Sequence, residues 1–600
     1  MIVNYSILLF MIVSYIRGKE QTAGNDLSRS LSMDEAYLIM YNRNSSENIT
    51  LFGNKVVCEN CNLGKMSMVA PNKNRTIIIN TQYAYDLEIR SSESNESILC
   101  QFKPYKFHEH GTYVLHLMYN TPLETKCSIE QIGKLSAYAI PAILGVLFVI
   151  LYTAVVQFWQ YIDYRRIWNY FRSTGTQAQI LVEDTAQGSL NTNQSAASNT
   201  KSRATKRLRS LDTFRGFSLM VMIFVNYGGG GYWFFDHSTW NGLTLADLVF
   251  PWFTWMMGVS IVLSQRSLRS KNVRKRSMLV KICRRTLILI LLGMSEQPHL
   301  MKFKDLRFCG VLQRLATCYF FTAILVLCLD KDYKLNSQDE HQEPSFRMEL
   351  NRAVFQYWLQ WLLVTLVVII WVLVTFLLQV PGCPTGYIGP GGKHDHGKYS
   401  NCTGGVAGYI DRVVLGNSHL YDEPTCKEIY STKLPYDPEG LLGNLTGILL
   451  CYLGVQAGHV FVHSNRVNRI CSQWLIWGII CGCFGLGLSF GGHSDSWIPI
   501  NKNLWSLTFV FTLASLAFVI LSVLYVLVDV RQWFTGAPFL WLGMNSIAIY
   551  MCHGLFGVSV PVQFDVSDTH AAQLAMHLYG AFFWSLVAGL MYYKKVFIAI

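Results

Sequence analysis

The sequence YWLQWLLVTLVVIIWVLVTFLLQV, Tyr357–Val380, contains no Asp, Glu, Lys or Arg. An α-helix needs about 20 apolar residues to cross a bilayer core of roughly 30 Å, and this run supplies them. Leu135–Trp159 and Leu504–Val528 are equally free of charge. Over the whole chain 51% of residues are hydrophobic and 15% are charged, which is too little charge for a water-soluble surface. The sequence therefore predicts a polytopic α-helical membrane protein.

Including these three runs, the chain is predicted to contain about eleven transmembrane helices, each close to the length that a bilayer requires. The predicted spans are 135–159, 213–229, 244–264, 280–295, 311–329, 357–380, 440–461, 473–490, 504–528, 538–560 and 571–593. All but the first lie in residues 212–600, which form the predicted transmembrane domain.

Basic residues cluster in the loops between the spans, chiefly in 160–211 and 265–279. Loops rich in Lys and Arg stay on the cytosolic side of a membrane. These loops explain the net charge of +12, so nucleic acid is not expected as a partner. Alternating the spans from a cytosolic 160–211 places the N-terminal domain and the loop 381–439 in the lumen. The C-terminus is then cytosolic.

Potential glycosylation acceptors test this topology. Asn401 lies in the lumenal loop, as the alternation requires. Asn193 falls in the cytosolic linker 160–211 and should be unused. Part of that linker, 173–205, is rich in Ser, Thr, Asn and Gln and is predicted to be disordered.

Two segments precede the first span. Residues 1–17 have an apolar core too short to span a membrane and are predicted to be a secretory signal, with an uncleaved anchor as the alternative. Residues 18–134 are polar, and Thr112–Met118 and Arg75–Thr81 alternate as β-strands do. A small β-rich lumenal domain is predicted, glycosylated and disulfide-containing. Its acceptors are Asn44, Asn48, Asn74 and Asn95, and its cysteines are Cys58, Cys61, Cys100 and Cys127.

The lumenal cysteines allow two further predictions. Cys58-x-x-Cys61 is either a disulfide or half of a zinc site, and the disulfide is favoured because no second half has suitable spacing. The loop 381–439 adds Cys383, Cys402 and Cys426, which makes the lumenal total odd. Cys309, at the lumenal end of the fifth span, would make it even. A Cys309–Cys426 bridge is therefore predicted.

The residues that say most about the chemistry of the protein lie in Leu208–Ile261. Asn226 ends an apolar half-helix, and Gly228–Gly231 follow it, a run that lets backbone approach a ligand closely. No Gly-Lys-Ser/Thr follows, so this is not a phosphate-binding P-loop. His237 lies at the lumenal mouth of the bundle, where it can take a proton from a nucleophile or be acylated transiently. Asn226 can donate a hydrogen bond to an oxyanion. The alternative is an interfacial histidine satisfied by backbone and water.

Other polar residues lie within or beside the later spans. Arg314 is either functional or part of a structural Arg–carboxylate pair, and Asn503 is either a ligand or a helix cap. Asn545, Ser546 and His553 share the tenth span, where His553 is either functional or satisfied by a neighbouring hydroxyl. Arg314 and His553 together could neutralise phosphate groups. His394-Asp395-His396 is interpreted as a solvated loop tip, and no metal is expected.

Several motifs resemble the heparan-α-glucosaminide N-acetyltransferase family, from the lumenal domain to YYKKVF near the C-terminus. The resemblance is weakest in the lumenal domain and in 173–205. The motifs are DTFRG at 212–216, NYGGG at 226–230, HSTWNGLTLADLVFPWF at 237–253, GVLQRL at 310–315, PGCPTGYIGPGG at 381–392, NCTGG at 401–405, LPYDPEG at 434–440, GVQAG at 454–458 and NKNLWSL at 501–507.

The resemblance implies that the chain moves the acetyl group of cytosolic acetyl-CoA onto the terminal, non-reducing glucosamine of heparan sulfate in the lysosome. It implies that His237 is the active histidine and Asn226 its partner, and that 212–600 is catalytic. It also makes heparan sulfate ends the expected partner, alongside membrane lipid. Contacts with acetyl-CoA are predicted from polarity and position at Arg314, Asn503, Asn545, Ser546 and His553.

Alternatives remain open at this point. His237 either carries the acetyl group covalently or acts as general base in a ternary complex. A related acyltransferase with another lumenal acceptor would carry the same motifs. A transporter would also combine many spans, buried Arg and His and a glycine-rich break. The sequence leaves open proteolytic processing, the sorting signal and whether the protein forms a homodimer.

Overall fold

The structure is a computed structural model that describes most of the chain. The described residues are 30–42, 47–91, 97–119, 125–132, 138–185, 207–297, 304, 306–330, 354–464, 466–494, 496–557 and 561–598. For 118–119, 125–126 and 163–185 the backbone alone is described. The predicted signal or anchor at 1–17 lies outside these residues, as do Asn44, Asn95 and Asn193.

Residues 30–132 form a β-sandwich, here called the head. One sheet has the strand order β4-β1-β7-β8, with β1 and β7 parallel, and the other has the order β3-β2-β5-β6. Alternate residues of both sheets, such as Leu38, Leu87 and Leu115, are buried in one shared core. The predicted β-rich domain is confirmed. The strands are β1 Glu35–Tyr41, β2 Ile49–Lys55, β3 Gly64–Val69, β4 Asn74–Asn80, β5 Tyr85–Ser91, β6 Ile98–Tyr105, β7 Thr112–Tyr119 and β8 Thr125–Ile132.

The rest of the described chain is helical and is here called the bundle. The helices are α1 Ala139–Thr185, α2 Arg209–Asn226, α3 Leu245–Ser270, α4 Lys275–Ser295, α5 Val311–Leu329, α6 Trp358–Leu377, α7 Gly405–Leu415, α8 Cys426–Tyr430, α9 Gly443–His463, α10 Val467–Leu488, α11 Leu507–Leu524, α12 Phe539–Met544, α13 Ser546–Phe556 and α14 His570–Tyr593.

Eight helices in the described part of the chain are long and apolar enough to cross a membrane. They are α1, α3, α5, α6, α9, α10, α11 with its continuation to Val530, and α14. The polytopic helical fold is confirmed, but this criterion does not confirm the predicted count of eleven. The remaining three predicted spans coincide with α2 and α4, which carry more charge, and with the pair α12–α13.

Two predicted segments differ from the structure. The tenth span, 538–560, is interrupted at Asn545, where φ is −119° and ψ is 30°, between α12 and α13. Apolar composition continues across the break, so hydropathy cannot reveal it. The first membrane helix continues to Thr185, so the beginning of the predicted disordered stretch 173–205 is helical. Residues 186–206 lie outside the described part.

Helices α3 and α9 pack at unusually close range. A Cβ atom on Gly258 of α3 would lie 1.9 Å from the carbonyl oxygen of Cys451, and one on Gly454 of α9 would lie 1.9 Å from that of Trp255. Only glycine permits two helix backbones to approach so closely. We call this contact the α3–α9 seam.

The head rests on one end of the bundle, here called the head-side end. His570, at the start of α14, places its Nε2 3.3 Å from Asp34 and 3.5 Å from Glu109 of the head. The Asn241 amide donates to Glu59 at 2.8 Å. His396, interpreted above as part of a solvated tip, instead lies against the head, where its backbone N–H donates to the Asn60 carbonyl at 2.8 Å.

Disulfides join Cys58 to Cys61, Cys100 to Cys127, and Cys383 to Cys402. The disulfide interpretation of Cys58-x-x-Cys61 is confirmed. The predicted Cys309–Cys426 bridge is wrong, because both cysteines are buried free thiols. Cys426 packs with Trp240, Tyr430 and the Cys58 region, a cluster that does not include Cys309.

Candidate active site

The histidine centre forms where the chain enters α3. Thr244 and Asp247 make a capping box at the start of this helix, with the Asp247 carboxylate accepting from the Thr244 hydroxyl at 2.9 Å. The same carboxylate accepts from the Ser238 N–H at 3.1 Å and lies 2.8 Å from His237 Nδ1. Asp247 is fully buried, whereas the His237 side chain is 38% exposed. A helix cap therefore also orients an accessible imidazole.

Lys502 completes this centre from the loop before α11. Its Nζ lies 3.3 Å from Asp247 Oδ1, so it balances the buried carboxylate. It also lies 2.9 Å from His237 Nδ1 and 3.2 Å from Nε2. When Nδ1–H donates to Asp247, the imidazole lone pair is on Nε2. The arrangement can accept a proton at Nε2 and offers a cation beside it.

Asp236 precedes His237 in sequence, and its orientation decides whether it acts on the imidazole. The structure turns it towards the head, where it accepts from the Gln82 amide at 3.3 Å. Burial raises the pKa of Asp236, although the nearby His237 opposes the rise. The carboxylate that holds His237 is thus Asp247. The Thr-x-x-Asp pattern at 244–247 is the signal that could have identified it.

Asn226, the predicted partner of His237, instead contacts His553. The Asn226 amide nitrogen lies 3.1 Å from His553 Nε2, which joins the end of α2 to α13. His553 is 2% exposed, and its Nδ1 has no hydrogen-bond partner among the described residues. The exposed Asn226 and the buried His553 form a second polar centre, and the hydroxyl neighbour considered for His553 is not its contact.

The glycine run after Asn226 lies close to helix α14 of the protein itself. Gly228–Gly231 all have positive φ, which forms a tight turn against α14. The Gly230 N–H donates to His577 Nδ1 at 2.9 Å. A Cβ on Gly228 would lie 2.9 Å from the His577 ring. The expected approach of this backbone to a ligand is therefore replaced by packing on α14.

Arg314 is buried at the start of α5, with only 2% of its surface exposed. Its Nη2 donates to the Gly440 carbonyl at 2.8 Å, and its guanidinium lies 4.6 Å from the centre of the Trp505 ring. Within the described residues, Nε and Nη1 have no partner. No carboxylate among the described residues pairs with Arg314, so the structure does not support the alternative of an Arg–carboxylate pair; the carboxylates of Asp437 and Glu439 pair with Arg307.

Asn503 lies beside the same region and is also buried. Its side-chain oxygen is 3.5 Å from the Thr425 hydroxyl, and its Nδ2 has no partner in the part of the chain described. The cap of α11 is Ser506, which accepts from the Phe509 N–H. The helix-cap alternative for Asn503 is therefore wrong.

Asn545 and Ser546 lie at the break between α12 and α13. The Asn545 amide donates to the Val596 carbonyl at 3.1 Å and accepts from the Ile598 N–H at 3.0 Å. Both of its polar atoms are thus engaged by the segment after α14. Ser546 begins α13, the helix that carries His553.

The predicted residues therefore fall into separate groups of contacts. His237 joins Asp247 and Lys502, Asn226 joins His553, and Asn545 binds the segment after α14. Arg314 and Asn503 are buried near the base of α9 and the loop before α11. No group of three His, Cys, Asp or Glu side chains that could hold a metal occurs among the residues described.

Comparison with known proteins gives matches along nearly the whole chain. Heparan-alpha-glucosaminide N-acetyltransferase from Homo sapiens is 36% identical over 591 residues, which cover 94% of this chain and 88% of the human protein. The protein of the same name from Mus musculus is 36% identical over 590 residues, covering 94% of this chain and 89% of its own length. No family model matches the chain.

Proposed function

Because the chain belongs to the heparan-α-glucosaminide N-acetyltransferase family, we propose that it transfers the acetyl group of acetyl-CoA to the terminal, non-reducing glucosamine of heparan sulfate. The observation that carries this proposal at the level of residues is the centre of His237, Asp247 and Lys502. It combines an oriented imidazole, a buried carboxylate and a cation at the head-side end of a membrane bundle.

His237 is proposed as the group that takes the proton of the amine. Acetyl transfer forms a C–N bond between the glucosamine nitrogen and the acetyl carbon and breaks the C–S bond of the thioester. The amine loses a proton as it attacks, and Nε2 of His237 can accept it while Asp247 holds Nδ1–H. The proton then goes to the thiolate that leaves as coenzyme A.

A second route uses His237 as an acetyl carrier. In that route the imidazole nitrogen attacks the thioester first, and the amine then attacks the acetyl-imidazole. Both routes develop negative charge on the acetyl oxygen. The Lys502 ammonium, 3.2 Å from Nε2, supports stabilisation of that charge. Asn226 is proposed to contribute an amide donor, which requires its present contact with His553 to be exchanged.

Acetyl-CoA is proposed as the co-substrate, with Arg314, Asn503 and His553 contributing contacts. Each of these buried side chains has at least one polar atom without a partner among the described residues. Such atoms cost free energy unless a ligand or water satisfies them. Asn545 and Ser546 are proposed to act at the helix break that positions His553, since the Asn545 amide is already engaged.

The same family membership and the charge of the loops support a proposal for the location. We propose a multi-pass protein of the lysosomal membrane with the head in the lumen and the C-terminus in the cytosol. Exposed Asn74 and Asn401 then lie on the lumenal side, where glycosylation takes place. A homodimer is compatible with this arrangement, and the mass of the purified complex in detergent would determine it.

The test is acetyl transfer from radiolabelled acetyl-CoA to glucosamine by the purified full-length protein in detergent. Wild type is compared with His237→Ala and with His493→Ala, an exposed histidine outside the histidine centre. We expect activity in wild type and His493→Ala and its loss in a folded His237→Ala. Activity that survives His237→Ala would move the chemistry elsewhere. Inactivity of all three, with labelled donor crossing vesicle membranes unchanged, would replace the proposal by a transporter.

A further inference from the structure

A cavity of about 550 Å³ lies between α3, α4 and α5, far from the histidine centre. Along α3 it begins near Ile261 and includes Gln265. Gln265 follows Asp247 by eighteen residues, which at 1.5 Å per residue is about 27 Å along the helix. The cavity therefore lies towards the end of the bundle opposite the head, nearly a bilayer core of roughly 30 Å away from His237.

Three cations of α4 line this cavity: Lys281, Arg284 and Arg285. Arg285 lies over the Tyr319 ring at 4.7 Å, and its buried Nε has no partner in the described part of the chain. Lys281 and Arg284 are exposed and Arg285 is partly exposed, so all three can meet a ligand that enters the cavity. The rest of the wall includes apolar side chains of α3 and α4, so the site offers positive charge against an apolar surface.

The charge of these cations is not balanced by the protein, as far as the chain is described. No described carboxylate lies within ion-pair distance of Lys281, Arg284 or Arg285. Asp330, at the end of α5, pairs with Arg269 at 2.8 Å. Asp212 pairs with Arg207 and Arg215. Asp529 accepts from the backbone N–H groups of Arg209 and Ser210. These three described carboxylates are thus already engaged by other groups.

The cavity also contains an unsatisfied acceptor. Gln265 is 5% exposed, and its Nε2 donates to the Ala323 carbonyl at 2.9 Å, while its Oε1 has no partner among the described residues. The helix that bears the cations packs mainly against α5 rather than α3. A space therefore separates α3 from α4, and a ligand can occupy it without displacing a packed side chain.

We propose that this cavity binds a phosphate ester, with Lys281, Arg284 and Arg285 contacting the phosphate oxygens and Gln265 accepting a hydrogen bond from the remainder of the ligand. Guanidinium groups match phosphate geometry, and an apolar wall suits a ligand with a non-polar or aromatic part. Two sources share this chemistry: the nucleotide end of coenzyme A and the headgroup of an anionic phospholipid. The coenzyme A source rests on the proposed function, whereas the lipid source does not.

The test uses full-length protein in phosphatidylcholine nanodiscs and the variant Lys281→Gln/Arg284→Gln/Arg285→Gln. The matched control is Arg274→Gln/Lys275→Gln/Arg276→Gln, which removes three exposed cations of the same segment that do not line the cavity. One arm measures equilibrium binding of coenzyme A and of 3′-dephospho-coenzyme A. The other arm measures thermal stabilisation when phosphatidylglycerol is added to the nanodisc. Neither arm requires turnover, so a failure of acetyl transfer and a failure of this site are distinguishable.

If the cavity binds the nucleotide end of coenzyme A, the cavity variant should bind coenzyme A about tenfold more weakly than the control does, because several charge-assisted hydrogen bonds are lost. A lipid headgroup predicts unchanged coenzyme A binding and loss of the stabilisation by phosphatidylglycerol. Lys281→Gln/Arg284→Gln, which leaves Arg285 on Tyr319, should show a smaller loss in the same arm and guards against misfolding. The proposal is overturned if the cavity variant matches the control in both arms.

Discussion

Two buried charges, Glu88 in the head and Arg314 at the head-side end of the bundle, differ in how they are paired. In the head, the buried carboxylate of Glu88 lies 2.5 Å from Arg90 and accepts from Gln101 as well. At the head-side end, the buried guanidinium of Arg314 has one backbone acceptor and an aromatic ring, and no carboxylate pairs with it in the described chain. A charge left incompletely paired costs stability. The cost at Arg314 supports the proposal that the head-side end holds the active site, whereas the paired Glu88 serves the stability of the head.

Asp247→Asn should have the largest effect and lower kcat by about 10³-fold or more. An amide in place of the carboxylate no longer enforces Nδ1–H on His237, so the wrong tautomer faces the substrate. Acetyl transfer at saturating acetyl-CoA measures the effect. Asp236→Asn changes the neighbouring carboxylate, which contacts the head, and should retain most activity. Equal losses in the two variants would remove Asp247 from its orienting role.

Asn226→Ala should have the next largest effect, a fall in kcat of about 10²-fold. The KM for acetyl-CoA and the KM for glucosamine should change little. Loss of one donor to a developing oxyanion typically has this size and affects the transition state alone. Asn417→Ala, at an exposed asparagine of the loop 381–439, is the control. A raised KM for acetyl-CoA at unchanged kcat would instead make Asn226 a binding residue.

Asp411 is a buried carboxyl group near Arg314, and its protonation makes the stability of the protein depend on pH. Burial raises its pKa to about 6, and its Oδ1 accepts from the Leu441 N–H beside Gly440, the acceptor of Arg314. A raised pKa means that the folded protein binds the proton more tightly. The stabilising contribution is therefore fully present below the ordinary value of 3.8 and is lost as pH rises through about 6.

Thermal unfolding in detergent measures this dependence. Wild type should gain up to about 3 kcal/mol of stability between pH 7 and pH 4 from this group, and Asp411→Asn should lack that gain. Activity of the variant at acidic pH should fall less than tenfold, because Asp411 holds the backbone beside Gly440, which binds Arg314, and does not contact the histidine centre. Parallel pH profiles for the two proteins would exclude the role of Asp411.

The smallest effect on acetyl transfer is expected from the head disulfide between Cys100 and Cys127. It joins β6 of one sheet to β8 of the other across 27 residues. Cys100→Ala/Cys127→Ala should destabilise the head by about 3 kcal/mol, because the unfolded head gains conformational freedom. Limited proteolysis reports that loss, while kcat should change less than twofold. Cys483→Ala, at an exposed free thiol of α10, controls for cysteine removal.

If kcat of the disulfide variant fell together with the stability of the head, the separation of stability in the head from chemistry in the bundle would be contradicted. It would mean that the head takes part in the chemistry through its contacts with the bundle, such as Gln82 with Asp236 or Glu59 with Asn241. The same variant with intact activity would confine catalysis to the head-side end.

The sequence predicted those features that depend on local composition. Tyr357–Val380 indicates a membrane helix because its length and lack of charge suffice, and Thr112–Met118 indicates a strand by alternation alone. The break at Asn545 and the contact of Asn226 with His553 depend on distant segments meeting, which periodicity does not encode. The Cys309–Cys426 prediction failed because an even number of cysteines carries no information on whether two of them are near each other.

In the candidate site, sequence reasoning named His237 and Arg314, which remain predictions, but it did not foresee the contacts of Asp247 and Lys502 with His237. Asp247 is an ordinary helix-capping residue by pattern, and only the fold brings His237 to its free oxygen. Lys502 lies in a polar run that shows no partner in sequence. Its contact with His237, which lies 265 positions earlier in the chain, appears only when the loop before α11 packs beside the start of α3.

The α3–α9 seam has a mechanical consequence. Gly258 and Gly454 lock the two backbones together, and the locked pair carries Asp247 at one helix start and adjoins the seat of Arg314 at the other. Those two parts of the site must then move as one rigid body. Any gate that admits a donor from one face of the membrane and an acceptor from the other has to be formed by helices outside this pair. Helix α12 is not such an element, because Gly216 of α2 and Gly543 of α12 bring those two backbones as close together as the seam does. Helix α4, which packs mainly against α5, lies outside both close pairs, and labels placed across the seam should keep a constant separation while labels on α4 do not.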